Sequence, residues 1–134
     1  MTIFLDTDTL SFFLSGNSAV AGKMNEAIVA GSQICLTCIN VYEIAKGLKY
    51  RNNKNREFDF YKFLTNVTVF YLDDAAIQKA ADIYANLRKT GITVGDADIL
   101  IASIVITNAG KLITNNNKHY QYINGLTIND WFGE

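Results

Sequence analysis

This chain of 134 residues contains no proline, one histidine, one tryptophan and only two cysteines. Without proline there is no proline-rich linker, and no repeat or low-complexity stretch divides the chain, so one domain spanning residues 1–134 is expected. The cysteines stand as Cys35-Leu36-Thr37-Cys38, half of a zinc knuckle or a thioredoxin-like pair. No second cysteine pair exists, the histidine is far away at His119, and Gln33 to Ile39 reads as a strand that turns the two thiols to opposite faces. They are better read as buried small hydrophobes. No apolar run approaches the roughly 18 residues of a membrane span, and the N-terminus has no basic signal-peptide region, so a cytoplasmic location is expected. Neither sign of charge is in excess: 12 basic and 13 acidic residues give a net charge of −1, which leaves no bulk footprint for nucleic acid. With 49% hydrophobic and 19% charged residues, a disordered tail and a coiled coil are excluded.

What the chain does have is Gly95-Asp96-Ala97-Asp98-Ile99-Leu100-Ile101-Ala102, two carboxylates ahead of an apolar run that continues to Ile106. Its β-branched residues leave a strand open, but its length and end signals favour a helix, with Asp96 or Asp98 as cap and Gly110 as stop. A helix apolar nearly all round belongs inside a domain. At the N-terminus, Thr2 to Leu5 reads as a buried strand that ends at Asp6 and leads into a helix around Leu10 to Leu14, with Thr7 or Asp8 as cap. Helical spacing follows over Asn17 to Ala30, a strand over Ile34 to Thr37 and a helix over Thr37 to Tyr50. Arg51 to Arg56 is a basic, asparagine-rich turn, Glu57 to Leu64 an amphipathic helix and Val67 to Leu72 a strand. Asp73-Asp74 opens a long helix that Gly91 stops. Lys111 to Thr114 and Leu126 to Ile128 are the remaining strands, and Trp131 with Phe132 folds back onto the core. Strands alternating with helices predict an α/β fold, three layers α/β/α around a central parallel sheet.

In such sheets ligands bind at the carboxyl ends of the strands. Asp6 stands at one such end with no structural duty, and Asn115-Asn116-Asn117 at another. Glu43 sits among the apolar residues of its helix; it is either a half-exposed residue or a side chain pointing toward Asp6. Five basic residues, Lys46, Lys49, Arg51, Lys54 and Arg56, crowd one segment. Such a cluster is ordinarily a solvated face, and it gains a purpose only beside an acidic site.

Four stretches together resemble PIN-domain ribonucleases of the VapC toxin type. Phe4-Leu5-Asp6-Thr7-Asp8 is similar to the first family block, and Tyr42-Glu43-Ile44-Ala45-Lys46-Gly47 resembles its glutamate helix. Leu87 to Gly91 with Val94 to Ala102 looks like the third block, and Thr114-Asn115-Asn116 with Gly125-Leu126 and Asp130-Trp131 the closing one. The resemblance implies that Asp6, Glu43 and Asp98 hold Mg²⁺ or Mn²⁺, with Asn116 where many relatives have a fourth aspartate. Asp8, Asp96 and Thr114 become outer-shell candidates. It further implies cleavage of structured RNA, most often transfer RNA and closest to the initiator-tRNA anticodon-loop cutters, with Lys46 to Arg56 tracking the RNA backbone. A homodimer and a VapB-type antitoxin partner are implied as well, with Phe12, Phe13, Phe60 and Tyr61 as candidate apolar contact surface. Nothing in this scheme needs His119, which reads as a surface residue beside the asparagine-rich loop.

Two other readings share these residues. Asp6-Thr7-Asp8-Thr9 also matches the DxDxT of haloacid-dehalogenase-type phosphatases, with Asp6 as nucleophile and Asp8 as acid, but this leaves Glu43 and Asn116 unexplained. A non-catalytic PIN-like binding module would have lost its acids, whereas Asp6, Glu43 and Asp98 are all present.

Overall fold

The computed structural model of the chain describes residues 1–132; the last two positions of the expected domain lie outside them. Its central element is β1 (Thr2–Leu5), a four-residue strand with both faces covered. Side chains alternate across it, so Phe4 enters one core and Ile3 and Leu5 the other. The same alternation sends Cys35 and Leu36 of β2 (Gln33–Thr37), and Leu112 and Ile113 of β4 (Lys111–Ile113), to opposite sides. With β3 (Thr68–Phe70) and β5 (Thr127–Asn129) these strands form one parallel sheet in the order β3-β2-β1-β4-β5. The expected three-layer α/β/α fold is therefore present.

On the Leu5 side pack α1 (Thr7–Leu14), α2 (Ser18–Val29), most of α3 (Cys38–Tyr50) and α4 (Lys54–Leu64), through Leu10, Val20, Met24, Ile44, Leu48 and Phe60. The Phe4 side is covered by α5 (Asp74–Lys89), α6 (Asp96–Thr107) and α7 (Asn117–Tyr120). Six residues of α6, Ile99 and the run Ile101–Val105, are buried, as an apolar helix requires. Most expected elements recur, with shifted ends. Helix α1 begins at Thr7, so neither Thr7 nor Asp8 holds the cap position; Asp6 does, without a side-chain bond to the helix. Part of the expected Arg51–Arg56 turn is already helical, since the Asn53 side chain accepts the Arg56 N–H and starts α4 at Lys54. Neither Asp96 nor Asp98 caps α6: Gly95 holds that position and no side chain bonds there. Helix α7 arises inside what the sequence presents as a loop.

Trp131 is buried, and Phe132 stacks on Phe12 with centroids 4.1 Å apart. Phe60, a candidate for exposed contact surface, is instead 0% exposed. Phe12 and Phe13 are half-buried and Tyr61 is exposed. No helix among the described residues is long and apolar enough to cross a membrane.

Candidate metal centre

The chain runs outward from β1 through β2 to β3, then returns to place β4 on the other flank of β1. That reversal opens a crevice between the C-terminal ends of β1 and β4, the position where parallel α/β sheets bind ligands. Asp6 follows β1 and Thr114 follows β4, and the Thr114 hydroxyl donates to Asp6 Oδ2 across the crevice at 2.7 Å. Asp6 stands at the start of α1 without capping it. Its other oxygen accepts from Asn40 Nδ2 at 3.2 Å and lies 3.4 Å from the Tyr120 hydroxyl.

Asn40 is the hub on the β2 side. Fully buried in the first turn of α3, it takes the Thr37 hydroxyl proton on its own Oδ1 at 2.6 Å and donates to Thr7 Oγ1 at 3.0 Å. The Thr7 hydroxyl then donates to Glu43 Oε1 at 2.5 Å. Asn40 and Glu43 are three apart and share a helix face, which is how a glutamate set among apolar residues reaches the strand ends. Asp98, in the first turn of α6, accepts from the Tyr120 hydroxyl at 3.1 Å on Oδ1 and contacts His119 Nδ1 at 2.7 Å on Oδ2. Asn116 donates its backbone N–H to Thr114 Oγ1 and sets its side chain 2.9 Å from the same His119 nitrogen.

A cleft of about 460 Å³ collects Asp6, Thr7, Asp8, Glu43, Lys46, Asp98, Asn115 and Asn116. It brings together the three expected principal acids, the expected Asn116 and the outer-shell candidate Asp8. Asp8 is held by the Thr9 N–H at 2.6 Å and the Asn115 N–H at 3.3 Å. Those two backbone bonds, one to each oxygen, tie Asp8 to the loops after β1 and β4. Asp96 stays exposed at the helix start and lies outside the cleft. Of the five basic residues, Lys46 lines the cleft, and Arg51 and Arg56 line an adjoining groove of about 370 Å³ that shares Thr7 and Glu43 with it. Lys49 and Lys54 point instead to Glu57, at 2.5 and 3.9 Å. One contiguous basic run is thus divided between a site and a surface ion pair.

Asp6 is 6% exposed, and burial pushes its pKa from 3.8 up to about 6 against the Thr114 hydrogen bond, with the Asp8 and Asp98 charges adding to the rise. Burial raises Asp8 as well, and it raises Tyr120, which also faces Asp6 and Asp98 and therefore stays a neutral donor. Among the described residues no three His, Cys, Asp or Glu side chains already converge as cation ligands. The donor chemistry nonetheless suits a hard divalent cation: carboxylate and amide oxygens line one cleft, and crowded negative charge there is relieved by a positive ion. Asn40, Tyr120 and His119 are the contributors that sequence reasoning passed over. The i, i+3 spacing of Asn40 to Glu43 is the one sequence feature that could have pointed to any of them.

Comparison with known proteins identifies the fold and the family. The tRNA(fMet)-specific endonuclease VapC of Shigella flexneri is 24% identical over 133 residues, covering 98% of each chain. The fold superposes on VapBC2 from Rickettsia felis, solved bound to a promoter DNA fragment, with a TM-score of 0.90 at 20% identity, over 98% of this chain and 99% of that one. For DNA-bound VapBC from Salmonella typhimurium the TM-score is 0.87 at 24% identity, over 98% of both. The profile of the PIN domain matches residues 3–124, nearly the whole length, and the chain belongs to the PIN domain family.

Proposed function

We propose that this protein is a metal-dependent endoribonuclease toxin of the VapC type that cleaves structured RNA and is neutralised by a VapB-type antitoxin. The observation that carries the reading is the meeting of Asp6, Glu43 and Asp98, from the end of β1, from α3 and from α6, in one cleft at the β1/β4 crevice. Asp6, Glu43, Asp98 and Asn116 would hold the cation, Mg²⁺ or Mn²⁺. When bound, it polarises the scissile phosphate and makes a water nucleophilic near neutral pH.

The chain's own groups do the rest. Asn40 and Thr114 fix the two Asp6 oxygens in direction, and Thr7 does the same for Glu43. Tyr120, neutral by burial, holds Asp98 while excluding water beneath the cleft. Asn116 supplies an oxygen without charge, so the site carries three principal acids rather than four. Lys46, Arg51 and Arg56 take the phosphates flanking the cut, a backbone contact that carries no sequence information. Unpaired loop bases are the part of an RNA that proteins read most readily. The name of the Shigella relative supports initiator tRNA, in its anticodon loop, as the first substrate to try. The VapBC complexes among its structural neighbours support an antitoxin partner; a homodimer and a cytoplasmic setting belong to the same reading.

The test is incubation of total tRNA with the purified chain in Mg²⁺ or Mn²⁺, with EDTA, and with Asp6→Asn alongside. Fragments that need metal and vanish with the variant are expected, bearing 5′-phosphate and 3′-hydroxyl ends. Folded wild-type protein that leaves tRNA intact in both metals overturns the reading.

A further inference from the structure

His119 is 52% exposed, yet its Nδ1 is directed at Asp98 Oδ2 (2.7 Å) and the Asn116 side-chain amide (2.9 Å). One ring nitrogen cannot serve both as they stand. Protonated, it donates to the carboxylate and faces the N–H of Asn116; unprotonated, it accepts from Asn116 and sets its lone pair against the carboxylate. Turning the Asn116 amide over, an exchange of O and N in the same outline, sets an unprotonated Nδ1 against two acceptor oxygens, Asp98 Oδ2 and Asn116 Oδ1, an arrangement that a shared cation would relieve. Adjacent ligands on an octahedral cation with bonds of about 2.1 Å stand about 3 Å apart. The separations of 2.7 and 2.9 Å from His119 are already close to that edge length.

We propose that His119 is a nitrogen ligand of the cation, through Nδ1, beside Asp98 and the Asn116 amide oxygen. This rests on the cation-dependent reading above and extends it. An imidazole in place of a further carboxylate has a chemical consequence, because Mg²⁺ prefers oxygen and gains little from nitrogen, whereas transition metals gain more. The site therefore favours Mn²⁺ over Mg²⁺ more strongly than an all-oxygen site would.

The chain has a single histidine, which makes the test clean provided no histidine tag is left on. Electron spin echo spectroscopy of the Mn²⁺-loaded full chain should show modulation from a directly bound imidazole nitrogen. His119→Ala and His119→Gln should remove it while retaining the wild-type circular dichroism. Calorimetric titration should show Mn²⁺ affinity falling roughly tenfold or more in both variants, with a smaller fall for Mg²⁺. Bound Mn²⁺ without nitrogen modulation in the wild type overturns the ligand assignment, even if affinity falls in the variants, and leaves the carboxylate site standing. Equal losses for the two metals also overturn it. A wild-type chain that binds no Mn²⁺, like Asp6→Asn, removes the cation reading as well.

Discussion

Asp6 shows what a buried carboxylate does to its own fold. Its pKa in the fold, about 6, lies above the ordinary 3.8, so folding favours the protonated acid. The contribution is therefore fully present below about pH 4 and is lost as pH rises through 6, on the order of 3 kcal/mol by neutrality. Asp6→Asn removes that charge and keeps the outline. In metal-free buffer at pH 7 it should raise the urea midpoint, with a gain in unfolding free energy on the order of 1–3 kcal/mol, and the gain should disappear at pH 4. A lower midpoint for Asp6→Asn at pH 7 would contradict this account. Adding Mn²⁺ at a hundred times its Kd should stabilise the wild type by about 2.7 kcal/mol and leave the variant unmoved. Sequence pattern singled out Asp6, Glu43 and Asp98 because each breaks a local rule: a strand end without a structural task, an acid in an apolar stripe, an acid at the mouth of an apolar helix. Asn40, Tyr120 and His119 break none, and the acids they hold lie 21 to 114 residues away, so apart from the Asn40–Glu43 spacing only the fold reveals them.

Among the elements, helix and strand types were legible because periodicity and stop signals agree along most of the chain. Boundaries moved where a short polar side chain took over a terminus, as Asn53 does for α4. The stop after α6 is instructive in another way. Sequence reading gives Gly110 the role of the left-handed terminating residue, but Ala109 holds that conformation at φ 52°. Gly110 is needed for space: a Cβ there would lie 2.5 Å from Cε1 of Phe4 and 3.2 Å from the Thr2 carbonyl oxygen. Phe4 is fully buried and cannot swing away. Two neighbouring substitutions should therefore act in opposite directions. Gly110→Ala should cost roughly 1–3 kcal/mol through overpacking, and Ala109→Gly should gain up to about 1 kcal/mol by relieving the left-handed strain. Denaturation curves for the pair decide it, and equal effects of the two would refute the distinction between space and conformation.

At the scale of the whole molecule, net charge conceals a division of labour. Arg51 and Arg56 face the groove beside the acids, while Lys49 and Lys54 lie against Glu57, a split invisible in a sequence where all four belong to one run. Arg51→Ala and Arg56→Ala should each raise the KM for RNA with little change in kcat. Each should also flatten the slope of log affinity against log salt by about 1. Lys49→Ala and Lys54→Ala should leave that slope unchanged; a slope that fell equally for all four would mean the whole run contacts RNA. The sheet order has a consequence in time. The middle strand is made first, but its β4 flank and the Thr114 and Tyr120 partners of Asp6 arrive 108 and 114 residues later. Such long-range closure is slow, and with no proline in the chain the delay owes nothing to peptide isomerisation. On the ribosome Asp6 therefore waits for more than 100 further residues before the neighbours that hold it exist. The cleft cannot be complete before Tyr120 has been synthesised.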